Sequence, residues 1–116
     1  MATVSMLGQG GVVEIRDYIK SRRGNMGSSC QCKDEVTHLV DGAGTCLIVF
    51  DKYYMRTGGY TSLSVSIAGD DEAVYVDGIT AGGGEGPFNF SYGSEVNFLK
   101  SFIAIMTEKG FRQVKE

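Results

Sequence analysis

The stretch YTSLSVSIA, residues 60–68, sets Leu63, Val65 and Ile67 against Ser62, Ser64 and Ser66. Strict alternation of this kind is the signature of a half-buried β-strand, with one face in a core and the other wet. Further extended runs lie on either side of it. SSCQCKDEVTHLVD (28–41) and TCLIVFDKYYMR (45–56) precede it, and EAVYVDGITA (72–81) follows. DGAG separates the first two and Gly69-Asp70-Asp71 introduces the last, so the loops are short and the strands should form an antiparallel meander. An irregularity is expected near Lys33-Asp34.

Further out, ATVSML (2–7) alternates as a short strand that ends at Gly8. Residues 11–23 place Val12, Ile15 and Ile19 at helical spacing, with Tyr18 alongside and Gly24 as the stop. A last helix, capped by Ser94 or Ser91 with Glu95 in its first turn, runs to Gly110. Its core stripe is expected to be Val96, Leu99, Phe102, Ile103 and Met106, with Phe98 and Ile105 pointing away. The expected fold is therefore α+β, in the order β-α-β-β-β-β-α. It is a mostly antiparallel five-stranded sheet with two helices on one face, in a single domain spanning 1–116. This order resembles the TATA-binding-protein-like and helix-grip folds, a likeness of topology that carries no function.

Composition narrows the classes. The 116 residues hold 11 Lys and Arg against 14 Asp and Glu, interspersed, and the nearest basic cluster, Lys20-Ser-Arg22-Arg23, falls at a helix end. Such cations suit a helix C-terminus, and a phosphate-backbone binder would show a basic stripe, so no nucleic-acid partner is expected. MATVSMLGQGG lacks a basic region followed by an apolar run, and no window approaches a membrane span, so the expected setting is cytoplasmic. Three cysteines then read as reduced thiols.

VFDKYYMR (49–56), TAGGGEGPFNFSYGSEVNF (80–98) and SSCQCKDEVTHLVDG (28–42) together resemble a family of small bacterial proteins whose shared domain has no assigned function. The resemblance implies a bacterial cytosolic protein and supplies no catalytic residues.

Several stretches invite chemistry. AGGGEGPFNFSYGSE (81–95) lacks the lysine and hydroxyl of a P-loop, and Glu85 and Glu95 would repel an anion there. It reads as a flexible crossing anchored by Phe88 or Phe90. Gly8-x-Gly10-x-x-Val13 follows a strand and opens a helix, but Val13 is too large for a dinucleotide fold's close helix–strand approach. Cys30, Cys32, Cys46 and His38 could supply a zinc shell, yet along one extended strand His38 would lie ~20 to 26 Å from Cys32 and Cys30. No metal and no cofactor is expected. His38 has no nucleophile-elbow partner, and Asp41, Asp51 and Asp77 form no evident cluster.

Lys52-Tyr53-Tyr54-Met55-Arg56 is the most distinctive feature, because the preceding Cys46 to Phe50 are apolar on both strand faces. Tyr, Met and Arg are enriched in binding surfaces. The candidate binding residues are Lys52, Tyr53, Tyr54, Arg56, Asp77 and Phe88, with no catalytic residue assigned. The expectation is a non-catalytic binding or interaction module, homodimeric, taking a small apolar ligand or a protein partner near the sheet and the last helix. The alternative is a small enzyme whose pocket is lined by Tyr53, Tyr54, Asp77 and His38. The dimer would hide the second face of the 45–56 strand, around Val49, or the outer side of the last helix, around Ile105.

Overall fold

The computed structural model describes residues 1–55, 58–70, 72–82 and 91–114. Strand β1 (Ala2–Gly8) leads into helix α1 (Val12–Ser21) and one 3-10 turn (Arg23–Met26). Strands β2 (Gln31–Val40), β3 (Ala43–Tyr54), β4 (Gly59–Asp70) and β5 (Val74–Gly82) follow, then helix α2 (Ser91–Glu108) and strand β6 (Arg112–Gln113). The sheet order is β2-β3-β4-β5-β1-β6, every pair antiparallel.

The alternation in β4 decides which face is dry. Leu63, Val65 and Ile67 are fully buried, as are Ile48 and Phe50 of β3, Val74 and Val76 of β5 and Met6 of β1. Helix α1 lies over β3 and β4, and α2 over β5, β1 and β4. Lys20 and Arg16 of α1 tie it to the edge strand by ion pairs with Glu35 at 2.5 and 3.7 Å. The β2–β3 hairpin turns on Asp41 and Gly42, both at positive φ (29° and 77°), and Val40 then faces Ala43. Between Cys32 and Asp34 the register slips by one, the irregularity expected near Lys33.

The expected count of five strands is corrected to six, and the element order gains a 3-10 turn and a closing strand. The sixth has two residues and no periodicity to betray it. It exists because α2 ends in a Schellman motif: Gly110, at φ 101°, donates to the Thr107 carbonyl at 3.0 Å and Phe111 to that of Met106 at 3.0 Å. That turn drops Phe111 into the core, 3% exposed, and aims the following residues along β1. Val114 closes the contact by donating to the Ser5 carbonyl at 2.8 Å.

Two expectations about α2 also change. Phe98 and Ile105 do not point away: both are buried, with Leu99, Phe102 and Met106, while Val96 and Ile103 are half-buried. The reason is lateral cover. Besides the sheet, α2 meets the 3-10 turn, and from α1 Tyr18 donates its hydroxyl to the Ile105 carbonyl at 2.5 Å. The helix therefore buries a wider arc than one sheet face would cover. Ser94 lies inside the helix, and its hydroxyl pairs with Thr61 at 2.8 Å.

Candidate functional site

Side chains alternate along β3, so the KYYMR segment cannot act as one surface. Lys52 and Tyr54 share the helix-covered face; Tyr53 lies on the other, where its ring meets Tyr60 edge-on at 5.3 Å. Asp77 also takes the outer face, opposite Ser5 and Ser66. Arg56 and Phe88 lie outside the described residues. The candidate residues thus divide between the two faces of the sheet.

On the inner side, Lys52 and Tyr54 converge on the first turns of α2. The Lys52 ammonium stands 4.6 Å from the Tyr54 ring centroid and 5.8 Å from that of Phe98, and the Tyr54 hydroxyl donates to Asn97 Oδ1 at 3.0 Å. Lys52 reaches this position by passing Gly27, whose φ of 142° and missing side chain leave room: a Cβ there would sit 2.5 Å from Lys52 Cε. Among the described residues, no carboxylate lies within ion-pair distance of Lys52. Burial lowers the Lys52 pKa, an effect partly offset by Cys30. Burial likewise pushes the Cys30 thiol up to about 11 and the Tyr54 phenol up to about 12. All three groups are thus biased toward their neutral forms.

Beside this cluster lies a polar seam that sequence reasoning missed. Thr61 and Thr80 occupy core-facing positions of β4 and β5 and are buried. Thr61 pairs with Ser94; Thr80 donates to the Glu95 carbonyl at 3.1 Å. The buried Glu95 carboxylate accepts from the Gly82 amide at 2.9 Å and pairs with the Met1 ammonium. A hydroxyl at core parity was the available signal, since a buried polar group needs a partner. Here the partners fasten the start of α2 to β4 and β5.

The outer face is of another kind. Nothing among the described residues covers it. Val36, Leu47, Tyr75 and Ile79 are each exposed by 42 to 50%, with Val49 half-buried among them. Down its middle run Ser62, Ser64 and Ser66 of β4, flanked by Leu47 and Val49 on one side and by Asp77 and Ile79 on the other. Asp51, opposite Ser62, and Asp77 add a carboxylate to each flank, so a hydroxyl stripe runs between lines that mix apolar and acidic side chains, a surface able to bury area and still satisfy polar atoms.

The remaining candidates do not assemble. Cys46 and Cys32 share the inner face, Cys30 is buried, and His38 is exposed on the outer face of β2. Among the described residues no three His, Cys, Asp or Glu groups form a set that could hold a metal ion. Tyr54, Asp77 and His38 are not brought together. A cleft of about 570 Å³ opens beside Glu14, Glu72, Lys109 and Arg112, and one of about 230 Å³ beside Val12, Leu39 and Asp70. Neither is lined by a residue of the Lys52 cluster. No helix among the described residues is long and apolar enough to cross a membrane.

The family model described as "Family of unknown function (DUF6054)" matches residues 1–109. The chain belongs to the DUF6054 family. The matched DUF6054 stretch contains both helices, strands β1 to β5, the Lys52 cluster and the whole outer face; β6 lies beyond it. Neither a curated protein nor a solved structure matches the chain.

Proposed function

We propose that the protein is a non-catalytic binding module, homodimeric and cytoplasmic in a bacterial cell, whose outer sheet face takes a small apolar ligand or a protein partner. The observation that carries this reading is the uncovered face itself. Its apolar side chains forgo ~25 cal/mol for each Å² left in water, and soluble monomers rarely keep such a patch without use for it. The serine stripe suits the reading, because hydroxyls beside Leu47, Val49 and Ile79 can hydrogen-bond an incoming molecule while those side chains cover its apolar part. A reducing cytosol suits Cys32, whose thiol is partly exposed. An enzyme lined by Tyr53, Tyr54, Asp77 and His38 is the less favoured reading, since Tyr54 faces the helices while Tyr53, Asp77 and His38 sit on the outer face on three different strands, with Tyr53 near the opposite end of the sheet from His38.

Two measurements test the proposal. Sedimentation equilibrium at micromolar concentration is expected to report about twice the chain mass. The apolar dye anilinonaphthalene sulfonate is expected to brighten on the folded protein, and to lose that signal in a Leu47→Asp, Ile79→Asp double variant whose melting is unchanged. A concentration-independent monomer would overturn the dimer. Dye binding that survives both substitutions would overturn the surface.

A further inference from the structure

The free edge of β2 is the part of the molecule least accounted for. β2 ends the sheet on one side, and between the bulge at Lys33 and the turn it runs for seven residues, Asp34 to Val40, in unbroken register with β3. The two-residue turn makes Val40 and Ala43 a hydrogen-bonded pair, so by alternation Asp34, Val36 and His38 also bond to β3. The backbone groups of Glu35, Thr37 and Leu39 then point to the open side. One of these is occupied locally: the Glu35 amide donates to Asp34 Oδ1 at 2.8 Å.

Proteins usually protect such an edge with bulges, charges or proline. Here the bulge and the charges Lys33, Asp34 and Glu35 gather at the first end. The second end, Val36-Thr37-His38-Leu39-Val40, has no proline and no carboxylate, and Val36, Leu39 and Val40 are exposed by 50, 63 and 71%.

We propose that two copies of the chain join through their β2 strands, antiparallel and centred on Val36, to form one continuous sheet. The inference rests on the homodimer reading above and names its interface. The charges select the register. With the two-fold axis at Val36, Asp34 of one copy faces the partner's His38, both on the outer face, and the imidazole N–H can donate to the carboxylate. On the inner face Glu35 faces the partner's Thr37, and that pair exchanges both backbone hydrogen bonds once the Glu35 amide gives up Asp34 Oδ1, which turns to the partner's imidazole. Glu35 arrives already paired with Lys20 and Arg16, so its charge is compensated. Moving the axis to Glu35 would set two glutamates against each other. Moving it to Thr37 would set Asp34 against Val40 and Glu35 against Leu39, carboxylates beside apolar side chains. Only the Val36 register opposes valine to valine and acid to imidazole. It leaves the two outer faces uncovered and side by side, doubling the surface offered to a partner.

Cross-linking at the axis tests this. Residues facing each other in a non-hydrogen-bonded pair have Cα atoms about 4.5 Å apart, within disulfide range. Val36→Cys, in a Cys32→Ser background, is expected to form a covalent dimer on mild oxidation, whereas Leu47→Cys in the same background stays uncrosslinked. Val36→Lys, which sets two ammonium groups at the axis of an otherwise exposed position, is expected to halve the sedimentation mass with melting unchanged. Thr37→Pro removes an outward amide that the β2–β3 ladder does not use, together with the hydroxyl that bonds Arg16 and Cys46, and is expected to halve the mass too, at a melting temperature matching that of Thr37→Val, which keeps the amide and the dimer. A wild-type dimer that Val36→Lys and Thr37→Pro leave intact, together with a Val36→Cys variant that does not cross-link, would overturn the β2 interface while the dimer stands. A wild-type monomer would overturn both.

Discussion

Raising the pH above 9 should weaken the fold through one side chain, Cys30. It is fully buried, and burial lifts its thiol from 9.0 to about 11. An unfolded chain gives up that proton near pH 9, while the folded chain holds it to about 11. Between these values the unfolded state binds fewer protons, so stability falls as pH rises. The contribution is complete below pH 9 and gone above 11. Two pKa units at 1.36 kcal/mol each bound the loss at roughly 3 kcal/mol, of which about 1.3 kcal/mol has gone by pH 10. Tyr54, raised to about 12, adds a loss of the same sign above pH 10. Lys52, with its pKa lowered, acts in the opposite direction, since shedding its proton relieves the folded state. Both remain in Cys30→Ala, so their own burial shifts cancel in the comparison, and what differs is the thiol together with the smaller charge effect it exerts on Lys52 and Tyr54. Urea unfolding at pH 8, 9 and 10 should show the wild type losing about 1.3 kcal/mol more than the variant between the first pH and the last. The variant itself starts lower, because a buried sulfur has been removed. Parallel losses in the two proteins would refute the assignment of Cys30 as a protonated, desolvated thiol.

Phe98→Ala should cost about 3–5 kcal/mol in urea unfolding, the range for an emptied aromatic site, while Val96→Ala costs a small fraction of that; equal effects would contradict the observed face of α2. Gly27→Ala should cost roughly 1–3 kcal/mol, because it adds a side chain at φ 142° and displaces Lys52. In a Lys52→Ala background the steric share should disappear and the backbone share remain, which the same unfolding experiment separates.

Where one side of an element was wet and the other dry, period alone placed it. β4 is the clear case, the hairpin at Asp41-Gly42 followed from turn chemistry, and the slip at Lys33 falls where an irregularity was expected. α2 escaped because Val96, Phe98, Leu99, Phe102, Ile103, Ile105 and Met106 surround much of its circumference. With so many apolar positions, the buried arc depends on what lies beside the helix, and that is a tertiary fact. β6 escaped because a two-residue strand has no pattern of its own. In the site, Lys52 and Tyr54 were picked out by their neighbourhood, yet alternation in the same segment already implied that Tyr53 must leave on the other side. Thr61 and Thr80 were legible as hydroxyls at core parity. Their partners, Ser94 and the Glu95 carbonyl, come from a helix distant in sequence, and no local spacing could supply them.

The short clip made by Phe111 and β6 also limits how the molecule can grow. A sheet with two long bare rims could add copies end after end and build a fibre. Among the described residues, one rim carries a two-residue strand that an anchored aromatic holds against Met6 and Leu7, and ten residues of β2 form the other. The longer of these rims is β2, so the proposed joint would consume the longer rim of each copy. On the proposed β2 joint, growth through the long rims would stop at two, and loosening Phe111 would be expected to bare the Met6–Leu7 end of the opposite rim.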